Sequence, residues 1–174
     1  MLSKKFIITT CLLLFIAQLQ ATTELITGGG TTMGETVDKN AWTTFGNTYV
    51  SQRRDYNGKK FLYSAPKVQG SGLYQAFSTV SGTTYTVSAN LLGADINKNE
   101  QFNEASLITI SSTKPTPDDT FVIASSDKVT GGTETTVTFT FTATGNKSYI
   151  AIRSSKAWNY ANARAISVKE VFSE

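Results

Sequence analysis

The sequence predicts an all-β fold, an antiparallel β-sandwich of the jelly-roll type. Apolar and polar residues alternate with a period of two, most clearly where Val137, Phe139 and Phe141 alternate with threonines. Turn residues, mostly Gly, Pro and Asn, separate such runs at short intervals along the whole chain. No window after residue 21 has the spacing of an amphipathic helix.

The first 21 residues have the three parts of a secretory signal. Lys4 and Lys5 precede an apolar run over residues 6–17, and Leu19-Gln20-Ala21 resembles a cleavage site. The apolar run is too short for an ordinary membrane span, although an uncleaved anchor is the alternative. We expect 1–21 to be a signal peptide, 22–174 to be a single β-sandwich domain, and the protein to be secreted, either extracellular or periplasmic.

The predicted strands follow one another without a linker or an internal repeat. They cover residues 24–27, 41–45, 59–64, 72–80, 83–92, 104–112, 120–126, 135–145, 147–155 and 164–172. Predicted turns lie at 28–30, 57–58, 70–72, 81–82, 115–119, 131–132 and 145–146. The alternation places these side chains in the core: Tyr85, Val87, Val137, Phe139 and Phe141.

Composition excludes several function classes. Without residues 1–21 the chain has 14 basic and 13 acidic residues, no cysteine and no histidine. The basic residues do not cluster on one face, so we expect no nucleic-acid partner. Export without disulfides suggests a bacterial protein. Lack of histidine excludes serine–histidine nucleophiles and histidine-bound metals. Paired carboxylates remain possible in principle, but the acidic residues lie mostly at predicted strand ends and in turns. We expect no enzyme, no cofactor and no membrane partner after signal cleavage.

One stretch, residues 72–93 (GLYQAFSTVSGTTYTVSANLLG), has a distinctive order. A glutamine lies two residues before an aromatic, and a glycine turn then precedes Tyr-x-Val-Ser. Together with ELITGG at 24–29, Trp42, YIAIRS at 149–154 and ISVKEV at 166–171, it resembles the jelly-roll, galactose-binding-domain-like carbohydrate-binding modules found beside cellulases and xylanases and in phage tail proteins. The resemblance implies a non-catalytic module that holds a sugar chain along a concave sheet face or in loops at its rim.

Such modules commonly carry a structural calcium, and this chain departs from that pattern. Thr32 and Arg164 fall where the resemblance places acidic ligands, and a guanidinium cannot ligate a cation. We expect Arg164 to bond carbonyls or a carboxylate instead, and no metal at that position. In DINKNEQFNE, residues 95–104, the carboxylates of Asp95 and Glu104 could form a weak calcium site with oxygen ligands. The alternative is that this segment is a solvated loop.

Trp158 and Tyr160 are candidate ligand-binding residues because they stand in a connection of small polar residues. A flat aromatic ring can cover the apolar face of a pyranose and leave its hydroxyls free for hydrogen bonds. In an extended segment the two rings share one side. The alternative is that Trp158 folds back onto the core.

Further candidates lie on or near predicted strands. Alternation puts Arg153 and Tyr149 opposite Ile150 and Ile152, so we expect Arg153 to be exposed and to offer its donors to sugar hydroxyls or uronate carboxylates. A solubilising surface arginine is the alternative. A second group contains Arg53 and Tyr56 with Tyr49 and Tyr63, where recognition or ordinary loop packing would both fit, while Trp42 is expected in the core.

These observations favour a secreted, non-catalytic carbohydrate-binding protein whose partner is a polysaccharide or glycan, gripped by exposed aromatics and arginine. The alternative is a structural or adhesive extracellular subunit, of a matrix or an appendage, built on the same sandwich. In that case Trp158 would anchor a homo-oligomer or a matrix partner, because exposed Trp and Tyr are also common interface anchors.

Overall fold

The computed structural model describes residues 22–30, 36–48, 50–56, 58–95, 100–101, 106–118, 120–155 and 160–172, with the backbone alone at 50–56, 94–95 and 100–101. Within these ranges the chain forms a 3-10 turn, Lys39–Ala41, and eleven strands. The strands are β1 Thr43–Phe45, β2 Val50–Tyr56, β3 Lys59–Ser64, β4 Gly72–Ser78, β5 Thr84–Asp95, β6 Glu100–Gln101, β7 Ser106–Ser111, β8 Val122–Ser125, β9 Gly131–Thr142, β10 Lys147–Ser154 and β11 Ala161–Glu170.

The strands form two antiparallel sheets. The five-stranded sheet has the order β1-β4-β10-β7-β8. The six-stranded sheet has the order β2-β3-β11-β5-β6, and β9 pairs with β5 over most of its length. The predicted all-β antiparallel sandwich is therefore confirmed. No helix in the described ranges is long and apolar enough to cross a bilayer.

The hydrophobic core lies between the two sheets, and most of its predicted members are in place. Tyr85, Val87, Val137 and Phe141 are buried there, as is Trp42. Phe139 is only half-buried, which corrects its placement in the core. In the described part of the chain β9 pairs only with β5, and Phe139 lines an open groove of about 580 Å³ between residues 125–130 and 135–139.

The N-terminal segment 24–27 is not a strand, so that prediction is wrong. The Glu24 carboxylate accepts hydrogen bonds from the amide of Ile26 (3.1 Å), the amide of Val168 (2.8 Å) and the hydroxyl of Ser167. The amide of Leu25 donates to the carbonyl of Val168 over 3.0 Å. A side-chain oxygen thus takes a position that a backbone carbonyl would take in a ladder, and the segment lies beside β11 without extending the sheet.

Two strands were not predicted. β2 has the sequence VSQRRDY, which lacks apolar alternation, and β6 is two residues long. The β2–β3 hairpin forms at the turn predicted from Asn57-Gly58, where Gly58 has a φ of 75°. This left-handed conformation favours glycine, because other residues meet a steric penalty there. Pairing with β3 thus makes a strand of a segment that has no strand pattern of its own.

Candidate functional site

The outer face of the five-stranded sheet carries the predicted site residue Tyr149. Along β10, Ile150 and Ile152 are fully buried in the core between the sheets. By alternation Lys147, Tyr149 and Arg153 leave the strand on the opposite side, away from the core. Tyr149 is half-buried there, on the face where the alternation of the sequence predicted it.

A row of three aromatic rings crosses this face, one from each of three neighbouring strands. The ring of Tyr74, on β4, lies 6.1 Å from the ring of Tyr149 on β10 at an interplanar angle of 53°. On its other side Tyr74 meets Phe45 of β1 edge-on, also with 6.1 Å between ring centroids. Phe45 is buried, whereas Tyr74 and Tyr149 are half-buried. The two tyrosines therefore present ring surface at the open part of the face.

Arg153 points outward from β10 but is not exposed, so the expectation of an exposed arginine is wrong. Only 1% of its surface is accessible. Its Nε donates to the hydroxyl of Thr109 over 2.8 Å, and its Nη1 donates to the carbonyls of Gly70 and Thr116, each over 2.9 Å. The guanidinium carbon also lies 4.8 Å from the ring centroid of Phe45.

The connection between β7 and β8, residues 112–121, explains why Arg153 is buried. The carbonyl of Thr116, in this connection, accepts a hydrogen bond from Arg153. The connection therefore passes over the outer face of β10 near the C-terminal end of that strand. Lys114 of the same connection places its Nζ 5.7 Å from the centroid of the Tyr74 ring. Arg153 thus ties the connection to the sheet, and the connection brings a cation to the aromatic row.

Tyr160 lies away from this row, just before β11, and packs on the other sheet. Its half-buried ring stacks on the ring of Tyr63 of β3, with 5.1 Å between centroids and 23° between planes. Tyr63 is fully buried, which for this member of the second group fits the alternative of ordinary packing. The structure therefore separates Tyr160 from Tyr149.

The remaining predicted residues lie wholly or partly outside the described part of the chain. Trp158 and Glu104 fall between described ranges, as do Thr32 and Tyr49. Arg53 and Tyr56 lie on β2, in register with Phe61 and Lys59, and Asp95 ends β5, but their side chains are not described. The roles predicted for these residues stay predictions.

Arg164 bonds a carboxylate, as expected. It forms an ion pair with Glu134 of β9, and its guanidinium carbon lies 5.7 Å from the ring centroid of Phe61. Lys59 donates to Oε2 of Glu134 over 2.7 Å. The side-chain amide of Asn90 donates to Oε1, the oxygen that also pairs with Arg164, over 2.8 Å. No group of three metal-ligating side chains occurs among the described residues.

The Glu134 cluster lowers the pKa of its carboxyl group. Burial by itself raises that pKa, but the hydrogen bonds from Lys59, Asn90 and Arg164 and the charge of Arg164 together outweigh it. The carboxylate is thus more stable in the folded chain than in the unfolded one. Its contribution to stability is present above the unfolded pKa and disappears as pH falls through the folded value.

We therefore expect Glu134→Gln to destabilise the protein at pH 7 by a modest amount, roughly 1 kcal/mol, because the cluster is partly exposed. The difference from the wild type should shrink as pH falls below about 4.5, where the unfolded carboxyl protonates, and vanish below the folded pKa. Urea unfolding of both proteins from pH 3 to pH 7 measures this. A difference that stays constant with pH would contradict the role given to the ionised carboxylate.

Sequence reasoning missed Tyr74 and Lys114. The alternation in β4 does contain the signal for Tyr74, because Leu73 and Phe77 are core residues and Tyr74 lies on the other face. Lys114 carries no such signal, since it lies in a connection whose path over the sheet depends on contacts far apart in the chain. The row itself depends on the order β1-β4-β10, which no local pattern shows.

No protein-family profile and no curated protein matches the chain in sequence. Solved structures match in fold. The xylan-binding domain CBM22-1 from Paenibacillus barcinonensis Xyn10C has a TM-score of 0.59 and 14% identity, covering 87% of this chain and 95% of that one. The CBM22-1–GH10 modules of Clostridium thermocellum endo-1,4-β-D-xylanase 10B, complexed with xylohexaose, match with a TM-score of 0.57 and 12% identity. This match covers 87% of this chain and 28% of that one.

The same fold also occurs in a protein of a different kind. A Stig cyclase from Fischerella sp. TAU matches with a TM-score of 0.58 and 14% identity, covering 88% of this chain and all of that one. Identities this low establish the fold and leave the activity open. The predicted resemblance is confirmed at that level: this chain has the jelly-roll sandwich of the CBM22 carbohydrate-binding modules.

Proposed function

We propose that this protein is a secreted, non-catalytic carbohydrate-binding protein that holds a polysaccharide on the outer face of its five-stranded sheet. The observation that carries the proposal is the pair of half-buried rings, Tyr74 and Tyr149, 6.1 Å apart on an open sheet face. The fold shared with a xylan-binding domain supports it. The signal-like residues 1–21 support secretion.

The chemistry of the face suits sugar rings. Each tyrosine offers an apolar ring surface for the C–H face of a pyranose, and each hydroxyl remains able to bond at the rim. One neighbouring side chain on this face adds a small polar group, since Thr43 pairs with Tyr74 across the ladder and is exposed. The rings belong to hydrogen-bonded strands, so little conformational entropy is lost when a ligand binds.

The same face favours binding over hydrolysis. None of the five strands, all of which the structure describes, contains an aspartate or a glutamate. Glycoside hydrolysis ordinarily requires two carboxyl groups flanking the scissile bond. Such a pair cannot come from these strands, which supports a non-catalytic role for the face.

Tyr149→Ala and Tyr74→Ala should each weaken polysaccharide binding about 30-fold, as expected when a central aromatic anchor is lost. Pull-down with a panel of soluble and insoluble polysaccharides identifies a ligand, and calorimetry with that ligand measures the loss. Thermal unfolding of each variant checks that the fold is kept.

Tyr160→Ala is the matched control, because Tyr160 stacks on Tyr63 of the other sheet. It should bind like the wild type if the outer face is the site. If Trp158→Ala and Tyr160→Ala abolish binding while both face variants retain it, the connection before β11 is the site, as the sequence predicted. Wild-type protein that binds no polysaccharide would contradict the proposed function itself.

A structural or adhesive subunit is the second candidate, favoured by two exposed apolar side chains at the edge of the five-stranded sheet. Phe121 is 57% exposed just before β8, and Ile123 within β8 is 37% exposed. Edge strands with apolar side chains are common association sites. Size-exclusion chromatography over a range of concentrations should show assembly in that case, and Phe121→Ser should abolish it. A monomer at every concentration would contradict self-assembly.

A further inference from the structure

The outer face of the five-stranded sheet is positively charged, although the chain as a whole has nearly balanced charges. The five strands contain one lysine and one arginine, Lys147 and Arg153, and no acidic residue. In the six-stranded sheet, by contrast, charges of both signs are mixed: Glu134 and Glu170 on β9 and β11 lie among basic residues of β3 and β11, Lys59, Lys60, Arg164 and Lys169. The strands of this sheet therefore differ from those of the five-stranded sheet, which have no carboxylate to neutralise their basic side chains.

Each of the two half-buried tyrosines has a lysine beside it. Lys114 lies over the ring of Tyr74, with its Nζ 5.7 Å from the ring centroid. Lys147 precedes Tyr149 by two residues on β10, so its exposed side chain leaves the same face about 7 Å along the strand. Neither lysine forms an ion pair with any described residue.

The other charged groups near this face are already engaged or lie at its far end. Arg153 is buried under the 112–121 connection and is held by Thr109, Gly70 and Thr116. Asp118 lines a cavity of about 290 Å³ beside Arg153, at the opposite end of β10 from Lys147. The open part of the face therefore presents two lysines and two tyrosines.

We infer that the polysaccharide held on this face carries carboxylate groups, that is, uronic acid residues. This inference rests on the proposed function and specifies its ligand. Sugar rings contact the accessible parts of Tyr74 and Tyr149, and ring carboxylates meet the ammonium groups of Lys114 and Lys147. Two separated cations match a polymer with a regular repeat of charge better than a single charged end group.

The test compares polymers that share a chain and differ in charge. Polygalacturonate is measured against the same polymer after reduction of its carboxyl groups, with poly-glutamate as an acidic polymer that has no sugar ring. The wild type should bind polygalacturonate about tenfold more tightly than the reduced polymer, the effect expected of two exposed ion pairs. This preference should fall as NaCl rises from low to physiological concentration and above.

Variants assign the effect to the two lysines. The double variant Lys114→Gln/Lys147→Gln should lose about tenfold in affinity for polygalacturonate and keep its affinity for the reduced polymer. The matched control Lys60→Gln/Lys169→Gln removes the same charge from β3 and β11 of the other sheet, and should leave the preference intact.

Three outcomes would overturn the inference, and they differ in what they say about the proposed function. Equal binding of both sugar polymers, still sensitive to Tyr149→Ala, removes the acidic preference and leaves carbohydrate binding in place. If poly-glutamate and polygalacturonate bind equally well and Tyr149→Ala weakens neither, the binding is non-specific ion exchange. Absence of binding to these and to all neutral polysaccharides removes both proposals.

Discussion

Replacing Phe141 with alanine is expected to lower the free energy of unfolding by about 3–5 kcal/mol. The ring is 95% buried, stacks on Tyr85 with 5.3 Å between centroids, and meets Phe77 edge-on at 6.2 Å. Its removal loses the buried apolar area and leaves a cavity that the two neighbouring aromatics cannot fill without moving. Urea or guanidinium unfolding followed by tryptophan fluorescence measures the loss.

Phe139→Ala is the matched control, because it removes the same ring from the same strand and the same face. Phe139 is half-buried and packs against the edge of the core, and the side that lines the open groove beside β9 is already in contact with water. We expect Phe139→Ala to lower the free energy of unfolding by less than half as much as Phe141→Ala does. Equal losses from the two variants would mean that the edge of the sandwich at β9 is closed in solution.

Arg153→Met is expected to cost about 3 kcal/mol or more. Methionine approximates the length of the arginine stem, but it leaves the hydroxyl of Thr109 and the carbonyls of Gly70 and Thr116 without their donor. Each buried acceptor left without a partner costs about 1–3 kcal/mol unless water reaches it. Unfolding measurements give the total, and hydrogen exchange at the amide of Ser112, which bonds the carbonyl of Phe121, reports on the 112–121 connection.

Two further variants separate charge from hydrogen-bond geometry. Lys147→Met removes a cation from the exposed end of the same strand and should change stability by less than about 0.5 kcal/mol. Arg153→Lys keeps the charge but loses the planar fork of donors, so its effect should lie between the other two. If Arg153→Met is as stable as Lys147→Met, the three hydrogen bonds do not hold the connection to the sheet.

The strands with regular alternation could be predicted from the sequence, and so could the faces of their side chains. The backbone of an extended strand sends successive side chains to opposite sides, so the pattern at Ile150 and Ile152 is enough to place Tyr149 outward. Segments without such a pattern were predicted wrongly. β2 becomes a strand through its pairing with β3, and 24–27 fails to become one because the Glu24 carboxylate replaces a ladder bond.

By itself, then, the sequence determined the fold class, most strand positions and which side of β10 faces the core, because these follow from local backbone geometry. Only the tertiary structure decided what covers each outward-facing residue. Arg153 is buried because a connection some forty residues earlier in the chain crosses its strand, and Tyr149 has Tyr74 beside it because β4 and β10 are neighbours in the sheet. Exposure and proximity of this kind depend on segments distant in sequence, whose arrangement is set by packing of the whole sandwich.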